Sequence, residues 1–325
     1  IAVRVMAKAE NFSDGEEHEI PILPRDITMT VAEPFMVRGR EDITAKTEKA
    51  KTALMARLGK HKDVKIEVAA ERDVYKEVAD LVPKWMQVVN GSAYDQAVNL
   101  YGIQYAMSYA LRPLVSLSDS ELQAYRQSAY DRLKAEQTSE GGWSWYPGMK
   151  ASPYITSQIA ILLARANRPS TAYPLDGSLL QAAMKFLDKE MTNRMAECKQ
   201  KKLQPYVGET EINYLYLCHL LDNKETPTIR YWRNQMGKDD VYAYTMYGKA
   251  VQAQILAETK YKELAKTALQ SVIEHTVASP EMGRYFDTQR ALSGYASYRI
   301  PTQVMTLEAL QKTSGEELKP LSLDR

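Results

Sequence analysis

The sequence is poor in cysteine, and this scarcity excludes two classes of protein. Only Cys198 and Cys218 occur among the 325 residues, too few for a scaffold built on disulfide bonds. We expect two free thiols rather than a bridge between neighbouring helices. Neither cysteine has the histidine or cysteine spacing of a metal site. We therefore expect no metal ion and no other cofactor.

The sequence also lacks an excess of charge of either sign. Its 42 basic and 41 acidic residues leave a formal net charge of +1, whereas nucleic-acid-binding surfaces are normally basic. The most basic segment, residues 46–65, is interrupted by Glu48 and Asp63 and is typical of a solvated face. No stretch of eighteen apolar residues occurs. We expect no nucleic-acid partner and no membrane insertion in this segment.

The motifs of several common catalytic sites are missing as well. The sequence contains no His-Glu-x-x-His pair, no Gly-x-Ser-x-Gly elbow and no glycine-rich phosphate loop. The histidines are scattered and form no ligand cluster: His18, His61, His219 and His275. We interpret His219 as a core residue of an apolar helix, and Asp239-Asp240 as charges at a helix start. We expect no catalytic residues and no enzyme activity.

The first 70 residues predict a small β region. Alternating or proline-bounded stretches indicate strands at residues 1–9, 19–23, 27–31 and 64–68. Asp14-Gly15 is expected at the corner of the first turn, and a helix is expected over residues 44–58. The first residues have the pattern of a β-strand and lack the features of a signal peptide. We therefore expect the chain to be an internal piece of a longer protein.

From residue 71 onward the apolar periodicity is helical, and no strand competes with it. Helices are predicted at residues 74–88, 94–110, 119–137, 153–166, 177–194, 210–221, 228–235, 241–258, 261–278 and 301–313. The clearest start is Ser118, because Glu121 three residues later completes a capping box. Aromatic or polar turns recur before Ala/Leu/Tyr-rich helices, a weak repeat compatible with an open solenoid or with a closed α/α toroid.

Two sequence blocks carry a family resemblance. The first is Ala93-Tyr94-Asp95-Gln96, and the second is Gly141-Gly142-Trp143-Ser144-Trp145-Tyr146 followed by an apolar helix. Together they resemble the thioester domain of the α2-macroglobulin and complement family, in its bacterial branch. Residues 11–24 resemble strands that precede this domain, in a CUB-type sandwich. The resemblance favours the toroid: a mainly α fold of helix pairs preceded by a small β region.

The resemblance implies a domain order and a lost reaction. Residues 1–70 correspond to the first part of the sandwich, and residues 71–325 to the toroid, expected to be truncated at its C-terminus. Family members carry Cys-x-Glu-Gln, whose thiol and glutamine condense into a thioester. Here Ala93 replaces the cysteine, Asp95 the glutamate, and Gln96 remains. The motif is therefore vestigial, and Gln96 is expected to be a buried structural residue.

The resemblance also implies a function. Family members are endopeptidase inhibitors that collapse around a protease after it cuts a bait region. A member without the cysteine is expected to trap proteases non-covalently, in the periplasm, in the cell envelope or outside the cell, with a signal or lipoprotein anchor upstream. Two alternatives stay open. One is a scaffold that does not inhibit. The other is a toroidal polysaccharide-active enzyme, which requires a carboxylate-lined bowl.

The second block and the chain ends carry further expectations. We interpret the family turn motif, Gly141, Gly142, Trp143 and Trp145, together with Tyr146, as a turn whose aromatic rings are stapled to the inner layer. A closed ring of six helix pairs needs twelve helices, and about ten are predicted. The strands within residues 1–23 are expected to expose unpaired edges.

Methylamine should form no adduct with this protein, because position 93 carries no thiol. After incubation with methylamine, mass spectrometry should show no gain of one methylamine. Titration in denaturant should find the same two thiols before and after treatment, those of Cys198 and Cys218. A mass gain, or a newly released thiol, would contradict the loss of the thioester.

Overall fold

A computed structural model describes most of the chain. The described residues are 2–19, 30–33, 35, 42–59, 64–68, 74–85, 91–168, 172–279, 283–286 and 299–313. The chain divides into two compact units, Ile1–Val68 and Ala69–Arg325. The expected fold class, mainly α with a small β region, is confirmed. None of the helices in the described part is long and apolar enough to cross a membrane.

The described residues of the first unit contain one β-hairpin. Strand β1 (Ala2–Ala9) pairs antiparallel with β2 (Phe12–Glu19). The chain reverses at Glu10, whose φ is 40°, so the turn predicted at Asp14-Gly15 is wrong. The observed register sets the side chains of Arg4 and Glu17 opposite each other, and opposite charges stabilise a cross-strand pair. In the described residues β1 and β2 pair only with each other. The expectation of unpaired outer edges stays a prediction.

In the rest of the first unit, the predicted helix is confirmed and the strand predicted at residues 64–68 is wrong. Helix α1 (Ile43–Leu58) begins where Asp42 accepts hydrogen bonds from the amides of the first turn, and it ends at Gly59, whose φ is 63°. Val64–Val68 is not a strand. Its alternating pattern is present, but no neighbouring strand pairs with it in the described residues, and a strand needs such a partner. The strands predicted at residues 19–23 and 27–31 lie almost entirely outside the described residues.

The second unit is built from helices. Its described residues contain α2 (Val74–Trp85), α3 (Ala93–Ala106), α4 (Asp119–Glu136), α5 (Pro153–Ala166), α6 (Ser178–Lys201), α7 (Glu209–Leu220), α8 (Pro227–Met236), α9 (Met246–Leu256), α10 (Lys262–Glu274) and α11 (Arg299–Thr313). The capping box at Ser118 is confirmed. The expected gap at the end of the ring falls on residues 314–325, which lie outside the described residues.

Four helix boundaries differ from the predictions by four residues or more. Helix α3 ends at Ala106 rather than at residue 110, and α6 continues to Lys201 rather than ending at residue 194. The other two differ for local reasons. The helix predicted to start at residue 241 starts at Met246, because Thr245 caps it by accepting a hydrogen bond from the Gly248 amide. The helix predicted to reach residue 278 ends at Glu274. Beyond it, a short hairpin pairs β3 (Val277–Ser279) with β4 (Gly283–Tyr285), so the expectation of no strand after residue 71 is wrong.

The helices of the second unit form two layers. In the inner layer α3, α5, α7, α9 and α11 pack in series, each against the next. In the outer layer α4, α6, α8 and α10 each pack against the inner helix that precedes them. This is the layering of α/α helix pairs. The largest fully buried side chains include Trp143, Trp232 and Tyr214. Cys198 and Cys218 are both buried free thiols, as expected.

A largely buried ion pair links the helices of the inner layer. Arg165 of α5 contacts Glu308 of α11 through two nitrogen–oxygen pairs, at 2.9 and 3.0 Å. The Tyr216 hydroxyl of α7 donates to the same carboxylate at 2.6 Å and accepts from Arg165 at 2.7 Å. Tyr101 of α3 also interacts with Arg165, and burial, followed by the neighbouring Tyr105, raises the pKa of Tyr101 to about 12. Four inner helices therefore meet at one guanidinium.

Replacing Glu308 by glutamine should strongly destabilise the second unit. The Arg165 and Glu308 side chains are only 15 % and 24 % exposed. The change leaves the guanidinium buried without a counter-charge, which costs about 3 kcal/mol of unfolding free energy. Denaturant unfolding followed by circular dichroism measures this loss.

The matched control is Glu197→Gln, which removes an exposed ion pair with Lys201 on α6. Exposed pairs of this kind contribute little to stability because water screens them, so this change should have a much smaller effect. Equal effects of the two substitutions would show that the Arg165 pair is not a structural tie.

Candidate functional site

The motif at residues 93–96 lies at the start of α3, where a capping box shapes it. The Ser92 amide donates to the Asp95 carboxylate at 2.8 Å, and the Ser92 hydroxyl accepts from the Asp95 amide at 3.4 Å. An aspartate three residues after the cap satisfies amides that would otherwise have no partner in the first helical turn. Asp95 therefore has a structural role here.

Ala93 and Gln96 are buried beside this capping box. Ala93 is 4 % exposed and Gln96 is 3 % exposed. The Gln96 side-chain nitrogen donates to the Gly91 carbonyl at 3.4 Å. Gln96 thus holds the turn before α3 against the helix, and the group beside it is a methyl without a nucleophilic atom. The two thiols belong to α6 and α7 and are buried there.

The family turn motif needs both of its glycines. Gly141 has a φ of 92°, and a Cβ there would lie 2.6 Å from the Ala182 carbonyl oxygen. A Cβ on Gly142 would lie 2.8 Å from the Thr156 hydroxyl. Such distances are too short for any side chain, and a positive φ strains all residues but glycine. The turn can therefore pass close to α5 and α6 only with glycine at both positions.

Trp143 joins the end of α4 to the start of α5. It is fully buried, and its indole nitrogen donates to the Leu133 carbonyl at 2.8 Å. Its backbone amide donates to the Thr156 hydroxyl at 2.9 Å, and its carbonyl accepts from the Ser152 amide at 2.8 Å. The stapling role predicted for Trp143 agrees with these contacts.

The other two aromatic residues of the turn behave differently. The Trp145 ring stacks on Tyr154, with centroids 5.6 Å apart and planes 13° apart, yet Trp145 is 52 % exposed. Tyr146 is 70 % exposed, so its predicted stapling is wrong. The turn that continues to Met149, whose amide donates to the Tyr146 carbonyl at 3.2 Å, leaves the Tyr146 side chain at the surface.

His219 and Asp239, interpreted above as a core residue and a charge at a helix start, each have a side-chain partner. The His219 Nε2 atom lies 2.5 Å from the Lys312 Nζ atom, and burial, followed by that ammonium group, lowers the pKa of His219. Asp239 accepts a hydrogen bond from the Tyr244 hydroxyl at 2.7 Å. Among the described residues, no group of three or more histidine, cysteine, aspartate or glutamate side chains is placed to hold a metal ion.

The structure also assembles a set of residues that the sequence analysis missed. It lies around the first turns of four inner helices and is called the mouth cluster here: Tyr94, Trp145, Tyr154, Glu209 and Tyr247. The Tyr154 hydroxyl donates to the Glu209 carboxylate at 3.4 Å. Tyr247 lies deeper, where burial raises its pKa and Arg165 opposes that rise, with Glu209 and Tyr94 adding to it. The signal was present in the sequence, because the second residue of α3, α5 and α9 is tyrosine in each case.

Burial raises the pKa values of two ionisable groups in the mouth cluster. It raises the pKa of Glu209 above its ordinary value and raises the pKa of Tyr247 as well. Because desolvation disfavours the charged form, both groups are shifted toward their neutral states. This end of the inner layer presents hydroxyl and carboxyl groups among aromatic rings.

Comparisons with known proteins give only distant similarity. No model of a known protein family matches the sequence, and no relative is found among curated proteins. Among solved structures, Salmonella α2-macroglobulin reacted with methylamine has a TM-score of 0.45 and 11 % identity over 71 % of this chain. A mutant of that protein has a TM-score of 0.45 and 9 % identity over 74 % of this chain.

The chain corresponds to 15 % of the length of each of those α2-macroglobulin structures. These are partial and distant likenesses of fold. The interpretation of the motif at residues 93–96 therefore depends on the residues themselves and on their packing.

Replacing Gln96 by alanine should lower the stability of the second unit by about 1–2 kcal/mol, because it removes a buried side chain and its hydrogen bond to Gly91. Chemical denaturation measures the loss. Val98→Ala is the control, since Val98 lies on the same helix but is exposed and should change stability by about 0.5 kcal/mol or less. A Gln96 variant as stable as the parent would contradict the structural role.

Proposed function

We propose that this chain is the thioester-like helical part of an α2-macroglobulin-type protein that traps proteases without a covalent bond. The observation that carries the proposal is position 93. The start of α3 keeps a closed capping box and a buried Gln96, but the residue that would supply the thiol is a buried alanine. The proposed site has kept its packing and lost its nucleophile.

The turn at residues 141–145 supports the proposal independently. Gly141, Gly142 and Trp143 lie next to α5 and α6 in contacts that other residues would not make. Ala93 and Trp143 belong to the same hydrophobic core cluster. The two sequence blocks that carry the family resemblance are thus parts of one packed structure.

The partners and location belong to the same proposal. The trapped targets are endopeptidases, and the trap acts in the periplasm, in the cell envelope or outside the cell. A signal or a lipoprotein anchor precedes this segment in the whole polypeptide. In this proposal residues 1–70 belong to a CUB-type sandwich and residues 71–325 to the toroid. The protein is not an enzyme.

A scaffold without inhibitory activity is the second candidate. It is favoured by the same observation, because a site without a nucleophile serves a packing role equally well. The two candidates differ in their response to cleavage by a protease: a trap changes shape and encloses its target, and a scaffold does neither.

The test uses the whole polypeptide and a panel of endopeptidases. A non-covalent trap should become more compact after limited cleavage, as measured by small-angle scattering. The bound protease should then keep its activity toward a small peptide substrate and lose it toward a large protein substrate. Denaturing electrophoresis should show no covalent product between the two proteins.

Pre-treatment with methylamine is the matched control, since an intact thioester is the only group in the trap that it would inactivate. It should leave both compaction and enclosure unchanged. Cleavage without compaction and without loss of activity toward the large substrate would reject the trap and favour the scaffold.

A further inference from the structure

Two polar contacts join α7 to α11, one helical turn apart. At the first, the Tyr216 hydroxyl donates to the Glu308 carboxylate at 2.6 Å. At the second, the Nζ atom of Lys312 lies 2.5 Å from the Nε2 atom of His219. On each helix the two residues are three or four positions apart, a spacing that places them on one face. The same faces of α7 and α11 therefore meet at both contacts.

The second contact requires a neutral imidazole. A lysine ammonium group donates hydrogen bonds and cannot accept them, and a histidine nitrogen accepts only while it carries no proton. The Nε2 atom of His219 is therefore unprotonated while Lys312 donates to it. If His219 gained a second proton, two positively charged donors would face each other at 2.5 Å. The contact would then lose its hydrogen bond and become repulsive.

Only this second contact contains a group that ordinarily titrates near neutral pH. At the first contact, burial raises the pKa of the Tyr216 phenol, which therefore keeps its proton. Its acceptor, Glu308, is also bound by Arg165 in the largely buried ion pair. Mild acidification should therefore act on one of the two contacts and spare the other.

Charges of both signs lie near His219, at the C-terminal ends of the inner helices. Burial is the main cause that lowers the pKa of His219, and Lys312 is the next. Further charged groups act on this pKa: Arg168, just after α5, lowers it, and Asp222 and Glu258, just after α7 and α9, raise it. The arginines of α8, which also packs against α7, are paired with Glu225. The net effect favours the neutral imidazole despite two nearby carboxylates.

The direction of this shift sets the direction of the pH effect. In the unfolded chain the imidazole titrates near its ordinary value of about 6.5, whereas in the folded protein the pKa of His219 is lower. The unfolded chain therefore takes up the proton first as the pH falls. The stabilising contribution of neutral His219 is present above about pH 6.5 and is lost as the pH falls below that value.

The effect of protonation should be local. Lys312 is exposed and lies in the last turn of α11, so its side chain can move into water when His219 becomes charged. Earlier turns of α11 keep the contacts of Glu308 and their packing against α9. Loss of the second contact therefore frees the end of the helix without undocking the whole of it.

We propose that the contact between His219 and Lys312 is an acid-sensitive latch. While His219 is neutral, the latch holds the last turn of α11 against the end of α7. Protonation of His219 opens the latch and releases that turn. The latch belongs to the second unit alone and does not depend on the protease trap proposed above.

The test measures amide hydrogen exchange along α11 by mass spectrometry in the 325-residue protein. The parent and His219→Gln are compared at the same pH, because the intrinsic effect of pH on exchange then cancels. Glutamine can accept a hydrogen bond from Lys312 but does not titrate. At about pH 7.5 the two proteins should exchange alike at residues 305–313. At about pH 5.5 the parent should exchange about threefold faster or more there, and the residues of α4 should exchange alike.

Two further variants separate the latch from a general effect of acid. His275→Gln removes another histidine at a helix end, whose Nδ1 atom contacts the Ser271 carbonyl of its own helix at 2.7 Å, and it should leave the acid response of α11 unchanged. Lys312→Met removes the charge, so the end of α11 should exchange faster at both pH values and lose its response to acid. The pKa of His219 measured by NMR should be higher in Lys312→Met than in the parent, because the ammonium group no longer opposes protonation.

Thermal unfolding at about pH 7.5 checks that each variant is folded. Equal exchange of the parent and His219→Gln at acid pH would overturn the proposal, and so would loss of the acid response in His275→Gln. An NMR titration of the parent needs no substitution: a His219 pKa at or above about 6.5 would also overturn it. So would a His219 pKa that is the same with and without the Lys312 ammonium group.

Discussion

The two-point contact between Arg165 and Glu308 is the interaction on which the inner helical layer depends. A guanidinium so little exposed is stable only with a counter-charge and with hydrogen bonds on its remaining donors. Glu308 supplies the charge. The Tyr216 hydroxyl forms hydrogen bonds with both members of the pair, and Tyr101 interacts with Arg165. Because these residues belong to α5, α11, α7 and α3, satisfying one charge fixes the relative positions of four helices. The layering of helix pairs then positions both ends of the inner helices.

That framework holds the start of α3 in place without using the side chain at position 93. The start of α3 is held by the Ser92–Asp95 capping box and by the bond from Gln96 to Gly91. Neither contact uses the side chain at position 93, which adds only a buried methyl group. A nucleophile at this position is therefore dispensable for packing. Gly141, Gly142 and Trp143 are not dispensable in this sense, since each makes contacts that no substitute would reproduce.

The motif at residues 93–96 can be recognised in the sequence, whereas the mouth cluster cannot. Tyr94, Tyr154 and Tyr247 occupy the same position in three helices, yet they are far apart in the chain, and tyrosines at helical spacing are often core residues. Only the packing of α5 against α7 shows that Tyr154 lies beside Glu209, to which its hydroxyl donates. Likewise, the turn motif groups three aromatic residues, and the tertiary structure separates a buried Trp143 from an exposed Tyr146.

The sequence by itself determined the helical class, most helix starts and the absence of a thiol at position 93, because apolar periodicity and capping residues act within a few residues of each other. It did not determine the turn at Glu10, the loss of the strand at Val64–Val68 or the hairpin at Val277–Ser279 and Gly283–Tyr285, since strands need partners that local pattern does not specify. The Arg165 network and the mouth cluster were decided only by tertiary structure. Arg165 and Glu308, for example, lie 143 residues apart, so no local signal relates one to the other.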